Sequence, residues 1–270
     1  MLLDIHGAQL HVEETGGPGE PILFLHGFLF DGRQYAAQVA ALSGEYRCVT
    51  LDFRGQGRSG AARHGFQVEQ QAADVVAVIR RLELAPVHLV GLSMGGFVGM
   101  RLAARNPELL RSLTLINTSA EPHKPAKVVK QVALAGIARV LGVTLGPLVD
   151  GVEEEMYGEA FRTDPATAPL RAQWRERWAT VDRVALVRTL LGFMLRPDMR
   201  PELADITTPT LVISGAEDRS LPPAQGRAIH AGIPGSHYVE VPGAGHSSPI
   251  EAPEAITEAL QGFLHGGPTR

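Results

Sequence analysis

Residues Gly91-Leu92-Ser93-Met94-Gly95 place a serine between two glycines, each two positions away. The apolar run Val87-His88-Leu89-Val90 precedes them, and Gly96-Phe97-Val98-Gly99-Met100-Arg101-Leu102-Ala103-Ala104 follows with helical character. Read as strand, turn and helix, the segment puts the serine on a sharp turn. The backbone there must be strained, and the hydroxyl stands off the tip, away from the sheet. A Cβ at either flanking glycine would clash as strand and helix close on each other. Ser93 is therefore a candidate nucleophile.

A serine hydroxyl is a poor nucleophile near neutral pH. It needs a base within hydrogen-bond reach, and the base needs an orienting acid. The chain offers them in the order Ser, Asp, His, one of the orders in which this arrangement occurs. Asp218 lies in Gly215-Ala216-Glu217-Asp218-Arg219, just past the apolar run Thr210–Gly215, on the strand edge where Ser93 stands. Glu217 competes with it, since only one of two adjacent side chains points inward. Of ten histidines, His246 sits in the small-residue loop Pro242-Gly243-Ala244-Gly245-His246-Ser247, right after strand 237–241. His11 belongs to an N-terminal hairpin, His88 is mid-strand, His123 is in an insertion and His265 in the tail. His230 and His237 fall on a helix and at a strand start. His26, the remaining rival, sits in a loop with another role. Acyl transfer needs N–H donors for the developing oxyanion, each contributing about 3–4 kcal/mol. The Met94 N–H, at a helix N-terminus, is one. The other is the Phe28 N–H in the loop His26-Gly27-Phe28, whose ring also suits a pocket wall.

These residues need a sheet to position them. Residues 2–14 read as two short strands turning at His6-Gly7-Ala8. Further strands are predicted at 21–25, 47–52, 87–92, 112–117, 210–215 and 237–241. Between them fall helices: one starting at Asp31, then 68–84, 94–105, 223–231 and 253–264. In helix 68–84, Val68, Ala72, Val75, Val76, Ile79 and Leu82 share one face. Short apolar strands alternating with amphipathic helices argue for parallel βαβ units covered on both faces. The interval 120–200 breaks the alternation and carries helices of its own, at 126–142, 170–178 and 182–195. It is too long for a simple connection, and is placed as an insertion over the carboxyl ends of the strands, where open α/β sheets bind ligands.

The remaining composition excludes more than it specifies. The 270 residues are 44% hydrophobic and 20% charged, with a net charge of -4, as in a soluble globular protein. No basic patch points to a nucleic-acid partner. The single cysteine, Cys48, lies in an apolar strand and reads as a small buried hydrophobe. The N-terminus lacks the pattern of a signal peptide, and no run approaches the ~18 apolar residues of a membrane span, so a cytoplasmic location is expected. No metal-ligand spacing is present, and neither metal nor cofactor is expected. Neither a monomer nor a homo-oligomer is singled out. Trp174 and Trp178, four apart, are expected to pack the insertion, with substrate contact as the alternative. Glu153-Glu154-Glu155 reads as a solvated face, and Arg54 and Arg58 as structural ion pairs, with binding of an acidic substrate as the alternative.

Taken together, the chain resembles the α/β-hydrolase superfamily. The likeness rests on His26-Gly27-Phe28, Asp52-x-Arg54-Gly55-x-Gly57-x-Ser59, Gly91-x-Ser93-x-Gly95-Gly96, Gly215-x-x-Asp218, and Gly245-His246 followed by Glu251-x-Pro253. The resemblance implies a mostly parallel eight-stranded sheet with helices on both faces, formed by residues 1–119 and 201–270, with a helical cap at 120–200. It implies a triad of Ser93, Asp218 and His246, and an oxyanion hole at Phe28 and Met94. Serine at position 93 excludes the dehalogenase and epoxide hydrolase branches, which carry aspartate there. The segment Asp218–Arg227 looks like carboxylesterases and 3-oxoadipate enol-lactonases, so a small-molecule ester or lactone is the expected substrate. Ser247, where carbon–carbon bond hydrolases carry Trp, counts against that branch. Phe28-Leu29 stands where perhydrolases carry Trp-Pro. A noncatalytic ligand-binding member would have a damaged triad, and here all three positions are intact.

Overall fold

The computed structural model describes residues 1–142 and 146–266. Eight strands form its sheet: β1 (Leu2–Ile5), β2 (Ala8–Thr15), β3 (Pro21–Leu25), β4 (Arg47–Leu51), β5 (Val87–Leu92), β6 (Leu110–Ile116), β7 (Thr210–Gly215) and β8 (His237–Val241). Their spatial order is β1-β2-β4-β3-β5-β6-β7-β8. The pairs β1/β2 and β2/β4 are antiparallel and the rest parallel. The hairpin expected at the N-terminus turns on His6 and Gly7, both at positive φ. The central strands β5 and β7 are buried along their length, and β3 from Ile22 on, because helices cover both faces.

Six helices lie outside the long interval among the described residues: α1 (Ala36–Leu42), α2 (Val68–Arg81), α3 (Met94–Arg105), then, late in the chain, the three described below. The Asp31 start is a 3-10 turn over Gly32–Tyr35, capped by the Asp31 carboxylate, and leads directly into α1. Between β6 and β7 run α4 (Pro125–Leu141), α5 (Gly146–Met156), α6 (Glu159–Thr163), α7 (Ala168–Ala179) and α8 (Arg183–Met194). The chain ends with α9 (Pro223–Gly232), α10 (Ser248–Glu251) and α11 (Pro253–Leu264). Apolar side chains of α2, α3 and α9 pack one face of the sheet. Those of α1 and α11 pack the other. No described helix is long and apolar enough to cross a membrane.

The interval between β6 and β7 holds more helix than its periodicity predicts, since α5 and α6 were not anticipated. It has its own apolar cluster, in which Trp174 and Trp178 are buried against Phe30 in the loop after β3, with ring centroids 4.8 and 5.8 Å away. This is the packing role expected of the tryptophans. The expected solvated face of Glu153-Glu154-Glu155 is corrected at Glu153, while Glu154 is exposed and Glu155 half-buried. Glu153 is buried, and Arg175 and Arg171 donate to its carboxylate. Two guanidiniums compensate the desolvation that would otherwise exclude the charge. Arg54 is likewise structural, forking onto Asp74 at 2.7 Å through two nitrogens, and Arg58 pairs with Asp52 and Glu13.

Candidate active site

Ser93 stands at the junction of β5 and α3 with φ 52° and ψ -109°. A non-glycine residue in this region carries roughly 1–3 kcal/mol of strain and persists only where its surroundings hold it. Here the Ser93 N–H donates to the Ile116 carbonyl at 2.9 Å, and the Thr118 hydroxyl donates to the Ser93 carbonyl at 2.8 Å. A Cβ on Gly91 would stand 2.5 Å from the Gly95 carbonyl group, and one on Gly95 would strike Leu25. The two glycines are what let the turn close.

Past the end of β7, Asp218 points inward and Glu217 does not. Asp218 Oδ2 lies 2.8 Å from His246 Nδ1, and its Oδ1 accepts the Leu221 N–H at 2.9 Å. Glu217 instead accepts the Glu159 N–H of the insertion. With a carboxylate on Nδ1, that nitrogen carries the proton, and Nε2 is the basic one. Ser93, Asp218 and His246 are 8%, 3% and 4% exposed. Ser93 and His246 share the wall of one cavity of about 430 Å³. No hydrogen bond joins the Ser93 hydroxyl to the imidazole in this structure, a looseness common in sites without substrate.

In the loop after β3, the Gly27 N–H donates to Gln34 and the Leu29 N–H to Gln56. The Phe28 N–H between them has no acceptor among the described residues. Met94 is the first residue of α3, so its N–H has no intrahelical partner. His26 is fully buried, with Nδ1 against the Gly27 carbonyl and Nε2 accepting the Phe53 N–H. Burial lowers its pKa, and it acts as a brace for this loop.

Much of the cavity wall is apolar, from Phe28, Phe97, Leu134, Leu186, Leu190 and Phe193, and charged Lys127, Lys130, Glu154, Glu155 and Arg219 also line it. His123 also lines it, but burial, aided by Arg196 and Lys127, pushes its pKa down to about 3, so it is neutral near pH 7. No group of metal-ligating side chains occurs among the described residues.

Two residues have a place at the site that the sequence reading does not assign, although Glu251 stands in the motif Glu251-x-Pro253. Asn117, at the end of β6 with φ 46°, directs its amide nitrogen at the carbonyls of Gly245 and His246, at 3.0 and 2.8 Å. Its oxygen accepts the Gly215 N–H. The only cue was an asparagine, a residue tolerant of left-handed backbone, at a strand's end. The other is Glu251, which accepts N–H groups on both sides of His246.

A second serine–histidine–carboxylate row lies near the amino ends of the strands. Ser112 Oγ is 2.7 Å from His88 Nδ1, and His88 Nε2 is 3.0 Å from Glu20. Neither Ser112 nor His88 lines the cavity, and Ser112 sits in regular strand. The residue types recur, but the strained turn and the adjoining cavity do not.

A family model described as the alpha/beta hydrolase fold matches residues 20–253. The chain belongs to the α/β-hydrolase family. Among solved α/β-hydrolases it is similar to an enol-lactonase from Burkholderia xenovorans LB400, at 31% identity and a TM-score of 0.90, over 98% of this chain and 100% of that one. It is also similar to a thermophilic esterase from Thermogutta terrifontis, at 30% identity and a TM-score of 0.89, over 98% of each chain. A Mycobacterium tuberculosis α/β-hydrolase bearing the name non-heme bromoperoxidase BpoC is 32% identical over 93% of this chain and 96% of its own.

Proposed function

We propose that this α/β-hydrolase cleaves carboxylic esters of small molecules through an acyl-enzyme on Ser93. The observation that carries the reading is the Asp218–His246 pair opening, with Ser93, onto one mostly apolar cavity. In this reading His246 Nε2 takes the Ser93 proton as the hydroxyl attacks the ester carbonyl. Asp218 fixes the tautomer and stabilises the imidazolium without being protonated itself. The Phe28 and Met94 N–H groups receive the oxyanion. His246 then protonates the departing alkoxide and activates water to release the acid. No redox step or external cofactor enters this scheme.

Residues 1–119 and 201–270 serve as the catalytic domain, and 120–200 as a cap that shapes the acyl pocket. The apolar walls contributed by α4 and α8 suit a hydrocarbon acyl chain. A lactone is opened by the same steps with its alcohol still tethered, and the enol-lactonase relative supports that as the second reading. The bromoperoxidase name of the mycobacterial relative is weighed against Phe28-Leu29, which departs from the Trp-Pro of the perhydrolase pattern.

The test is Ser93→Ala. We expect kcat on p-nitrophenyl esters to fall by roughly 10³-fold or more, with folding retained and fluorophosphonate labelling lost. Near-normal turnover by this variant on every ester and lactone tried would refute the assignment.

A further inference from the structure

We propose that Glu251 is a positioning residue for His246, its single carboxylate holding the backbone on both sides of the imidazole while fastening the helical insertion to the same loop. Oε1 accepts the Ser247 N–H at 2.8 Å, and Oε2 accepts the Gly245 N–H at 2.9 Å. The residues immediately before and after His246 are thus tied to one rigid group, located where α10 meets α11. Oε2 also accepts the Gly158 N–H at 2.7 Å, between α5 and α6.

The rest of the junction follows the same plan. The Ser247 N–H is shared with the Met156 carbonyl at 2.9 Å, and the Glu159 N–H reaches Glu217, beside Asp218. On the opposite side Asn117 takes the Gly245 and His246 carbonyls. The N–H groups of Gly245 and Ser247 therefore reach Glu251, and the C=O groups of Gly245 and His246 reach Asn117. The imidazole has little freedom apart from rotation about its own side-chain bonds. Displacement of a reacting group by about 1 Å costs on the order of 10²-fold in rate, so such bracing bears on turnover.

The carboxylate is an unusual choice for mere packing. Among the described residues no lysine or arginine pairs with Glu251. Burial pushes its pKa up to about 7, while the three N–H donors and His246 pull it back. An acid held at that cost without a cation is explained by what it organises. A glutamine in its place would offer one acceptor and turn an NH2 donor toward one of the three backbone donors.

The inference rests on His246 being the general base, and the experiment keeps the two apart. Glu251→Gln and Glu251→Asp are compared with wild type by melting temperature, by kcat and KM on p-nitrophenyl butyrate, and by the downfield proton resonance of His246 Nδ1–H. In folded Glu251→Gln we expect kcat to fall roughly 10- to 100-fold, KM to stay within about twofold, and the imidazole resonance to broaden or shift. Glu251→Asp, which keeps a carboxylate one methylene short, should lie between. If Glu251→Gln does not fold, Glu251→Asp is read by the same two signals. Unchanged kcat and resonance in a folded variant would overturn the proposal. A resonance that moves in a protein inactive on every ester would uphold the positioning role and refute the ester reading.

Discussion

Gly245 and Gly158 meet backbone to backbone across the junction of the His246 loop and the helical insertion. A Cβ on Gly245 would stand 2.7 Å from the Tyr157 carbonyl carbon and 2.9 Å from Gly158 Cα. Neither neighbour is a flexible side chain that could swing aside, and both segments are already bonded to Glu251. Gly245→Ala must therefore push the insertion or the loop. Overpacking of this kind costs about 1–3 kcal/mol, which for a protein of this size is a melting temperature lower by roughly 2–5 °C. The imidazole rides on the loop, so kcat should fall more than KM rises. An unshifted melting curve would show that the two backbones separate freely.

The second serine row gives a contrasting expectation. Ser112, His88 and Glu20 are spaced much as a catalytic row would be, but they lie outside the cavity of Ser93 and His246, and neither Ser112 nor His88 is at positive φ. Ser112→Ala should leave kcat and KM within about twofold. Stability should fall by about 1–3 kcal/mol, since a buried His88 nitrogen loses its partner. Steady-state assays and urea unfolding check the two halves of this statement. A large loss of turnover in a stable variant would mean that the row takes part in chemistry.

The sequence made the site readable where one backbone event forces residue identity. A serine on a left-handed turn requires glycines at 91 and 95, and the structure puts Ser93 at positive φ with both glycines in close contact. Strand ends were readable too, since Asp218 follows β7, which is buried along its length, and His246 follows β8, an edge strand that is exposed or half-buried up to Val241. The insertion was less readable. Helix α5 begins Gly-Pro and carries three consecutive glutamates, a composition that looks solvated, and only the distant Arg171 and Arg175 make Glu153 a buried group. The roles of Glu251 and Asn117 escaped for a further reason. Their work is done on backbone atoms of residues far along the chain or around a turn, and backbone acceptors and donors leave no mark in side-chain spacing.

The cavity walls predict selectivity. Leu190 of α8 is buried and lines the cavity that holds Ser93 and His246. Leu190→Trp would occupy part of its ~430 Å³ while leaving the polar end untouched. Acetate esters should be turned over at close to the normal rate. For octanoate esters kcat/KM should drop by about tenfold or more, the size expected for a few methylenes losing their pocket. Equal losses on short and long esters would place the acyl chain elsewhere.

Stability should depend on pH through Glu251 in a direction opposite to that of an ion-paired carboxylate. Burial raises its folded pKa to about 7 from an ordinary value of 4.5. A group raised in this way contributes stability that is fully present below the unfolded pKa and is lost as pH climbs through the folded one. The window is thus about pH 4.5 to 7, and the loss is roughly 3 kcal/mol at about 1.4 kcal/mol per unit. His26, His88 and His123 act in the other sense. Burial lowers their pKa values, so each favours the folded state above its unfolded pKa and withdraws that support as the solution is acidified. Wild-type unfolding alone mixes the two effects. The difference between wild type and Glu251→Gln cancels the histidines and isolates the carboxylate. Urea unfolding at pH 5, 6, 7 and 8 should show wild type losing ground to the variant across pH 5 to 7 and holding steady above. A difference that stays level from pH 5 to 8 would mean that Glu251 ionises in the folded protein as readily as in the unfolded chain.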